Sequence, residues 1–288
     1  MRFAPSPTGH FHLGNLRTAW ISERWARFLN VPWVVRFEDI DRPRIAYGAR
    51  EEQNSDLLTL GLHPDVELDQ SEFLPRHFEV FQKARALQMT YPCDCSRKEV
   101  QMALTGFASA PHIHPPNYSG HCRDLDPNRT LKNPQSVAWR FRMPDATGCD
   151  DFVIARGALH PSVTDFSPAY HWACAIDDFD GDCDLLVRAH DLQPAAFLQQ
   201  AVQKWLGEVE NRVAIPAVFH TSLVVQEDGH RLEKRTAGAS LKDVGVGADE
   251  VVRLFARSFD TGLLRRDFAQ AEHFGELKSS VSMRELGL

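Results

Sequence analysis

Nothing in this sequence of 288 residues approaches the ~20 consecutive apolar residues of a bilayer crossing, and no charged-then-apolar leader precedes Arg2. Membrane and secretory classes are set aside, and a soluble, cytoplasmic protein is expected. Cysteine is scarce: six residues at uneven positions make no disulfide framework, so thiols or metal ligands are expected instead. Positive charge is not in excess either. With 32 Lys and Arg against 39 Asp and Glu the net charge is −7, which excludes a surface that is basic overall. Contact with nucleic acid would need a local basic patch, and net charge does not locate one. Internal repeats and low-complexity tracts are missing as well.

What remains has the make-up of a globular enzyme, 43% hydrophobic and 25% charged, long enough for about two domains with a full core. Strand and helix patterns alternate, as an α/β fold requires. A helix is expected over Leu16–Leu29, and a buried strand over Trp33–Phe37 that ends in Glu38, Asp39 and Asp41. Two further helices are expected near residues 51–60 and 75–89. From Tyr91 to Phe166 cysteine, proline and histidine dominate, and only residues 137–143 alternate cleanly. This stretch reads as an insertion between two halves of a sheet. Strands are expected again at Trp172–Ile176, Leu185–Arg188 and Ala217–Val225, with a helix opening at Pro194 and short helices at the end. The expected organisation is residues 1–90 and 167–226 as two halves of one catalytic domain, 91–166 as the insert, and 227–288 as a loop with short helices.

The segment RFAPSPTGHFHLGN, residues 2–15, carries the most information. A strand ends in a stiff turn that delivers Gly9, Gly14, His10 and His12 to the mouth of a helix. Glycines there allow close approach of backbone to ligand, and the N–H groups at a helix start favour an anion. In a doubly wound sheet this is where a nucleotide sits. The acidic cluster after the second strand reads from spacing alone either as a solvated loop or as carboxylates facing the ligand crevice.

The segment resembles the opening of the glutamyl and glutaminyl class I aminoacyl-tRNA synthetases, where R-F-A-P-S-P-T-G leads into the HIGH element; His12-Leu13-Gly14-Asn15 stands at HIGH, with Asn15 in place of the last His. The resemblance implies a Rossmann-like parallel sheet with an inserted zinc-containing α+β subdomain and a short C-terminal helical region. It implies an ATP site at Pro5, Ser6, Thr8, Gly9, His10, His12, Gly14 and Asn15, with Mg²⁺ accompanying ATP. Further family motifs match. Arg36-Phe37-Glu38-Asp39-Ile40-Asp41 stands at R-x-E-D-x-D, which implies that Glu38 accepts from a substrate α-ammonium. Tyr170 with Asp177-Asp178 matches Y-x-x-A-x-x-x-D-D, and Val187-Arg188-Ala189-His190-Asp191 matches V-R-G-x-D with Ala189 for the glycine. Arg2, Ala4, Ser6, Glu38, Tyr170 and Arg188 are therefore expected to hold L-glutamate, the two arginines as planar forks for carboxylates. Arg231-Leu232-Glu233-Lys234-Arg235 resembles a degenerate KMSKS loop, which makes Lys234 the second catalytic residue beside His12. Glu233, where the family often has Ser, places a carboxylate near the triphosphate.

Cys93 and Cys95 form a Cys-x-Cys pair, and Cys122 follows. A tetrahedral Zn²⁺ needs a fourth ligand, and Tyr118, His112, His114 and His121 compete for it. Truncated family relatives, the glutamyl-queuosine tRNA(Asp) synthetases, share a Cys-x-Cys…Tyr-x-x-x-Cys pattern, which implies one structural Zn²⁺ on Cys93, Cys95, Tyr118 and Cys122. Cys149, Cys174 and Cys183 read as packing residues. Only ~50 residues follow Lys234, too few for an anticodon-binding domain. The resemblance to these relatives implies glutamate activation by ATP and glutamyl transfer to queuosine in tRNA(Asp), by a monomer away from membranes. A minimal glutamyl-tRNA synthetase acting on a tRNA 3′ end, and a non-catalytic paralogue binding amino acid or RNA, are the alternatives.

Overall fold

The computed structural model describes residues 1–104, 118–126, 129–144, 150–230, 232, 240–269 and 272–288. They fall into two compact units, Met1–Glu72 with Asp178–Leu288, and Phe73–Asp177.

The first unit starts with β1 (Arg2–Phe3), α1 (Leu13–Leu29), β2 (Val34–Phe37), α2 (Ala49–Thr59) and β3 (Val66–Asp69). Helix α1 begins three residues earlier than its apolar spacing predicts, because His12 caps it: the imidazole accepts from the Asn15 amide, and the Asn15 side chain accepts from the His12 amide. It closes at Asn30 in the left-handed conformation, which asparagine tolerates. The helix is buried on most of its circumference, and Leu16, Ala19, Trp20 and Trp25 join the core of the unit.

The second unit holds α3 (Leu74–Ala86), β4 (Thr90–Cys93), α4 (Arg97–Leu104), β5 (Val137–Phe141), β6 (Phe152–Gly157) and β7 (Ser167–Pro168), and α5 (Tyr170–Asp180) leads out of it. The four strands form an antiparallel sheet in chain order. Its core is aromatic: Phe81 packs on Trp139 and Phe166, with ring centroids 5.3 and 4.9 Å apart. Buried Asp151 accepts from Tyr91, Arg123 and the Met143 amide, satisfying its charge.

The chain then completes the first unit with β8 (Leu185–Ala189), α6 (Gln193–Glu210), β9 (Ala217–Thr221), β10 (Leu223–Val225), α7 (Ala248–Ser258), β11 (His273–Gly275), β12 (Ser280–Ser282) and α8 (Met283–Leu286). Six parallel strands run in the order β11-β9-β8-β1-β2-β3. Strand order reverses between β1 and β8, so the ligand crevice of such a sheet belongs at their carboxyl ends. The C-terminal region is helical as expected and also supplies two strands: β11 extends the large sheet, and β12 pairs with β10.

Two expectations are corrected. Residues 172–176 form no strand: Trp172, Ala173, Cys174, Ala175 and Ile176 lie in α5, all fully buried. A helix buried all round presents the same short apolar run as a central strand, so periodicity could not separate them. The strand expected over 217–225 is two strands of different sheets, broken at Ser222, whose hydroxyl donates to the Lys278 carbonyl.

Candidate active site

The turn between β1 and α1 is held from several sides. The Glu38 amide donates to the Pro5 carbonyl at 2.8 Å, and the Ala46 amide to that of Pro7 at 3.0 Å. Gln53 donates through Nε2 to the carbonyls of Ser6 and Gly9, at 3.2 and 2.7 Å. Gly9 has φ +135°, a conformation that requires glycine. Gly14 allows a close approach, since a Cβ there would stand 2.9 Å from the His12 ring. Ser6 and His10 are exposed, Ala4, Thr8, His12 and Asn15 half-buried, and Pro5 buried. His10 faces Glu52 at 3.0 Å.

The same unit holds a buried charge cluster that the sequence pattern does not assemble. Asp178, fully buried at the end of α5, accepts from three arginines. Arg2 binds it through Nε at 2.8 Å and Nη2 at 2.6 Å, Arg36 through Nη1 at 2.8 Å, and Arg188 through Nη2 at 3.0 Å. Arg36 also stands 3.5 Å from Glu38, and Arg188 donates through Nη1 to Gln199 of α6. The five charged residues Arg2, Arg36, Glu38, Asp178 and Arg188 are each less than a tenth exposed. Burial alone would raise the Asp178 pKa, but the charges of Arg2 and Arg36, with that of Arg188, hold it well below the usual carboxylate range. Three guanidinium groups against Asp178 and Glu38 leave positive charge in excess within the cluster, and the buried Arg188 Nε has no hydrogen-bond partner among the described residues. A buried excess of cation with an unmet donor suits an anionic ligand.

Of the residues expected at glutamate, the structure brings Arg2, Glu38 and Arg188 into this one cluster. Tyr170 opens α5, in the part of the chain that belongs to the second unit. Arg36, Asp178 and Gln199 were missed as site residues. The signals were present for two of them, in the motif Arg36-Phe37-Glu38-Asp39 and in the Asp177-Asp178 pair, while Gln199 has none. Glu233, Lys234 and Arg235 lie outside the described residues.

In the second unit the sulfur atoms of Cys93, Cys95 and Cys122 lie within 4.8 Å of one another, and those of Cys95 and Cys122 are 3.5 Å apart. The Tyr118 hydroxyl stands 3.5 Å from the Cys93 sulfur and accepts from the Cys122 amide at 2.8 Å. Tetrahedral Zn²⁺ with bonds of about 2.3 Å separates its sulfurs by about 3.8 Å, so the donor set fits. The Cys93 thiol is brought down to about 4, by donation from Cys122 first, then from Tyr118 and Arg140, against the effect of burial. Arg140 also lies over the Tyr118 ring, 3.6 Å from its centre. Among the described residues no histidine joins the three sulfurs. His121 is exposed, whereas His112, His114 and Cys149 fall outside the described residues. No helix among the described residues is long and apolar enough to cross a membrane.

A six-stranded parallel sheet with a phosphate-type turn after its central strand and an antiparallel insert is the class I synthetase architecture. The family model of class I tRNA synthetases (E and Q), catalytic domain, matches residues 1–282, and the chain belongs to that family. Within it, the chain is similar to glutamyl-Q tRNA(Asp) synthetases. It is 34% identical to that of Nocardia farcinica over 281 residues, 89% of this chain and 83% of the relative. With that of Deinococcus radiodurans it shares 36% over 263 residues, 84% and 81% of the two chains. The fold matches a glutamate tRNA ligase from Elizabethkingia meningosepticum, solved in complex with its amino acid, with TM-score 0.64 and 21% identity. That match covers 99% of this chain, which spans 63% of the longer one.

Proposed function

We propose that the chain activates L-glutamate with ATP and transfers the glutamyl group to queuosine in tRNA(Asp), the activity its similar relatives are named for. The observation that supports a dicarboxylic amino acid most directly is the buried cluster of Arg2, Arg36 and Arg188 around Asp178. In this reading Arg188 binds the side-chain carboxylate, and Arg2 serves either carboxylate. Glu38 accepts from the α-ammonium, and Tyr170, Ala4 and Ser6 complete the amino-acid site.

The α-carboxylate of glutamate attacks the α-phosphorus of ATP in line, forming the mixed anhydride and expelling pyrophosphate. The chain's task is to align the two substrates and to neutralise charge, with no covalent enzyme intermediate. His12 donates to phosphate oxygens, and Pro5, Thr8, Gly9, His10, Gly14 and Asn15 form the wall against ATP. Lys234 is assigned to the departing pyrophosphate by the family motif. Mg²⁺ held by the triphosphate supplies further neutralisation. A hydroxyl of queuosine then takes the glutamyl group, releasing AMP. Cys93, Cys95, Cys122 and Tyr118 hold one structural Zn²⁺ that ties the insert together.

The test is to locate radiolabelled glutamate on tRNA(Asp) with and without queuosine, beside ATP–pyrophosphate exchange without tRNA. Glutamate-dependent exchange and label only on queuosine-bearing tRNA are expected. Label at a 3′ end, independent of queuosine, means a minimal glutamyl-tRNA synthetase; no exchange at all means a binding protein.

A further inference from the structure

The second unit carries a recess of about 350 Å³ that the glutamate and zinc sites do not use. Arg85, Tyr91, Trp139, Arg142 and His160 are among its lining, and no acidic residue is. In a chain with seven negative charges in excess, such a lining stands out. Its aromatic rings are buried, so they do not themselves face a ligand: Trp139 is 4% exposed and Tyr91 2%. Instead they carry the cations. The Arg85 guanidinium lies over Trp139 and that of Arg142 over Tyr91, each 4.8 Å from the ring centre. Stacking fixes the plane of a guanidinium while its N–H edge stays available for a planar or tetrahedral oxyanion.

The two cations are weakly countered. Among the described residues the Arg85 guanidinium faces no carboxylate within ion-pair distance and makes a long contact, 3.4 Å, to the Gln82 side chain, and burial holds it below its usual range. Arg142 donates to the Arg123 carbonyl at 2.6 Å and faces the exposed Asp124 at 3.6 Å. His160 at the rim is exposed. We infer that this recess seats one phosphodiester unit of an RNA strand, with Arg85 and Arg142 as donors to its phosphate. The volume is at the lower end for a small-ligand site and suits a phosphate with its sugar rather than a whole dinucleotide. The inference rests on the proposed tRNA partner and adds where that partner's backbone is gripped.

The test is the affinity of the full chain for tRNA(Asp) lacking queuosine, by fluorescence anisotropy across a salt series. Such RNA separates backbone binding from the glutamyl acceptor. Arg85→Ala is expected to weaken binding about tenfold and to flatten the salt slope by about one unit. Arg85→Lys keeps the slope and loses part of the affinity. His160→Asp, an exposed change that leaves packing alone, weakens binding by repulsion and covers the case of a poorly folded Arg85→Ala. ATP–pyrophosphate exchange with glutamate stays at the wild-type rate in all three. Unchanged affinity and slope in both Arg85→Ala and His160→Asp overturn the inference, as does a wild-type chain that binds no tRNA. Inorganic phosphate at matched ionic strength is the other arm: displacement of the RNA that depends on Arg85 is expected, whereas phosphate that binds at Arg85 without displacing the RNA would mark a site for the free anion and overturn the inference. Queuosine-independent glutamylation, by contrast, would sink the proposed acceptor while leaving this result standing.

Discussion

Arg188 reaches Asp178 through Nη2 at 3.0 Å while its own Nε stays buried without a partner among the described residues. One edge of the fork is thus anchored and another is unmet, so the direction of the guanidinium is fixed by Asp178. Asp178 is the orienting group, since Arg2 and Arg36 take their direction from the same carboxylate.

Arg188→Ala is expected to lower kcat/KM for glutamate in the exchange reaction at least about thirtyfold, equivalent to ~2 kcal/mol for a buried charged contact, while ATP binding persists. Arg188→Lys should rescue little, because a point charge cannot serve Asp178 and a carboxylate together. Equal loss toward ATP and glutamate would show that Arg188 has been misassigned. Asp178→Asn leaves three buried cations with Glu38 as their one remaining carboxylate in the cluster, so its melting temperature should drop by more than that of Arg188→Ala.

Gly14→Ala separates helix stability from chemistry. Alanine favours the helix by up to about 1 kcal/mol over glycine, yet its Cβ would press on the His12 ring. The expected variant melts no lower than wild type and turns over about tenfold more slowly in exchange, a modest displacement of a phosphate donor. Wild-type kcat would remove His12 from the reaction.

The cysteine cluster makes a compositional prediction. Purified protein should hold one zinc per chain by elemental analysis, and Cys122→Ser should lose it. Loss of a structural metal should lower the melting temperature of residues 73–177, followed by proteolysis or hydrogen exchange of that unit. Tyr118→Phe should retain less zinc than wild type through dialysis; full retention would exclude the phenol as a ligand.

Acidification should act through His220. Burial brings its pKa down to about 4, with His273 and Arg188 adding repulsion. The unfolded imidazole binds a proton near its ordinary value of 6.5, and the folded one does so only near 4. The unfolded state therefore holds more protons in that interval, and stability falls as pH drops from about 6.5 to about 4. His220→Gln should flatten this part of a stability–pH curve; an unaltered slope would assign it to other groups.

The parts of the fold and site that local chemistry writes were legible in the sequence. The Pro-Gly turn before α1, the strand leading to Glu38, and Arg2 and Arg188 as members of one group of residues all follow from residues near in sequence or from a shared motif. What stayed hidden depends on distance along the chain. Asp178 meets Arg2 across 176 residues, and no local pattern announces that contact. Trp172–Ile176 hid its helix because burial on every side erases amphipathic spacing. Strands β11 and β12 are three residues each, too short for alternation to register, and they exist because β9 and β10 offer open edges.

The cap of helix α1 also decides where a proton resides. By taking the Asn15 amide on Nδ1, His12 is kept from carrying its hydrogen there, so the neutral ring is the Nε2–H tautomer. Asn15 accepts the His12 amide in return, closing the loop around that choice. The last letter of the motif thus works on the first: it leaves the His12 Nε2–H as the donor of the ring.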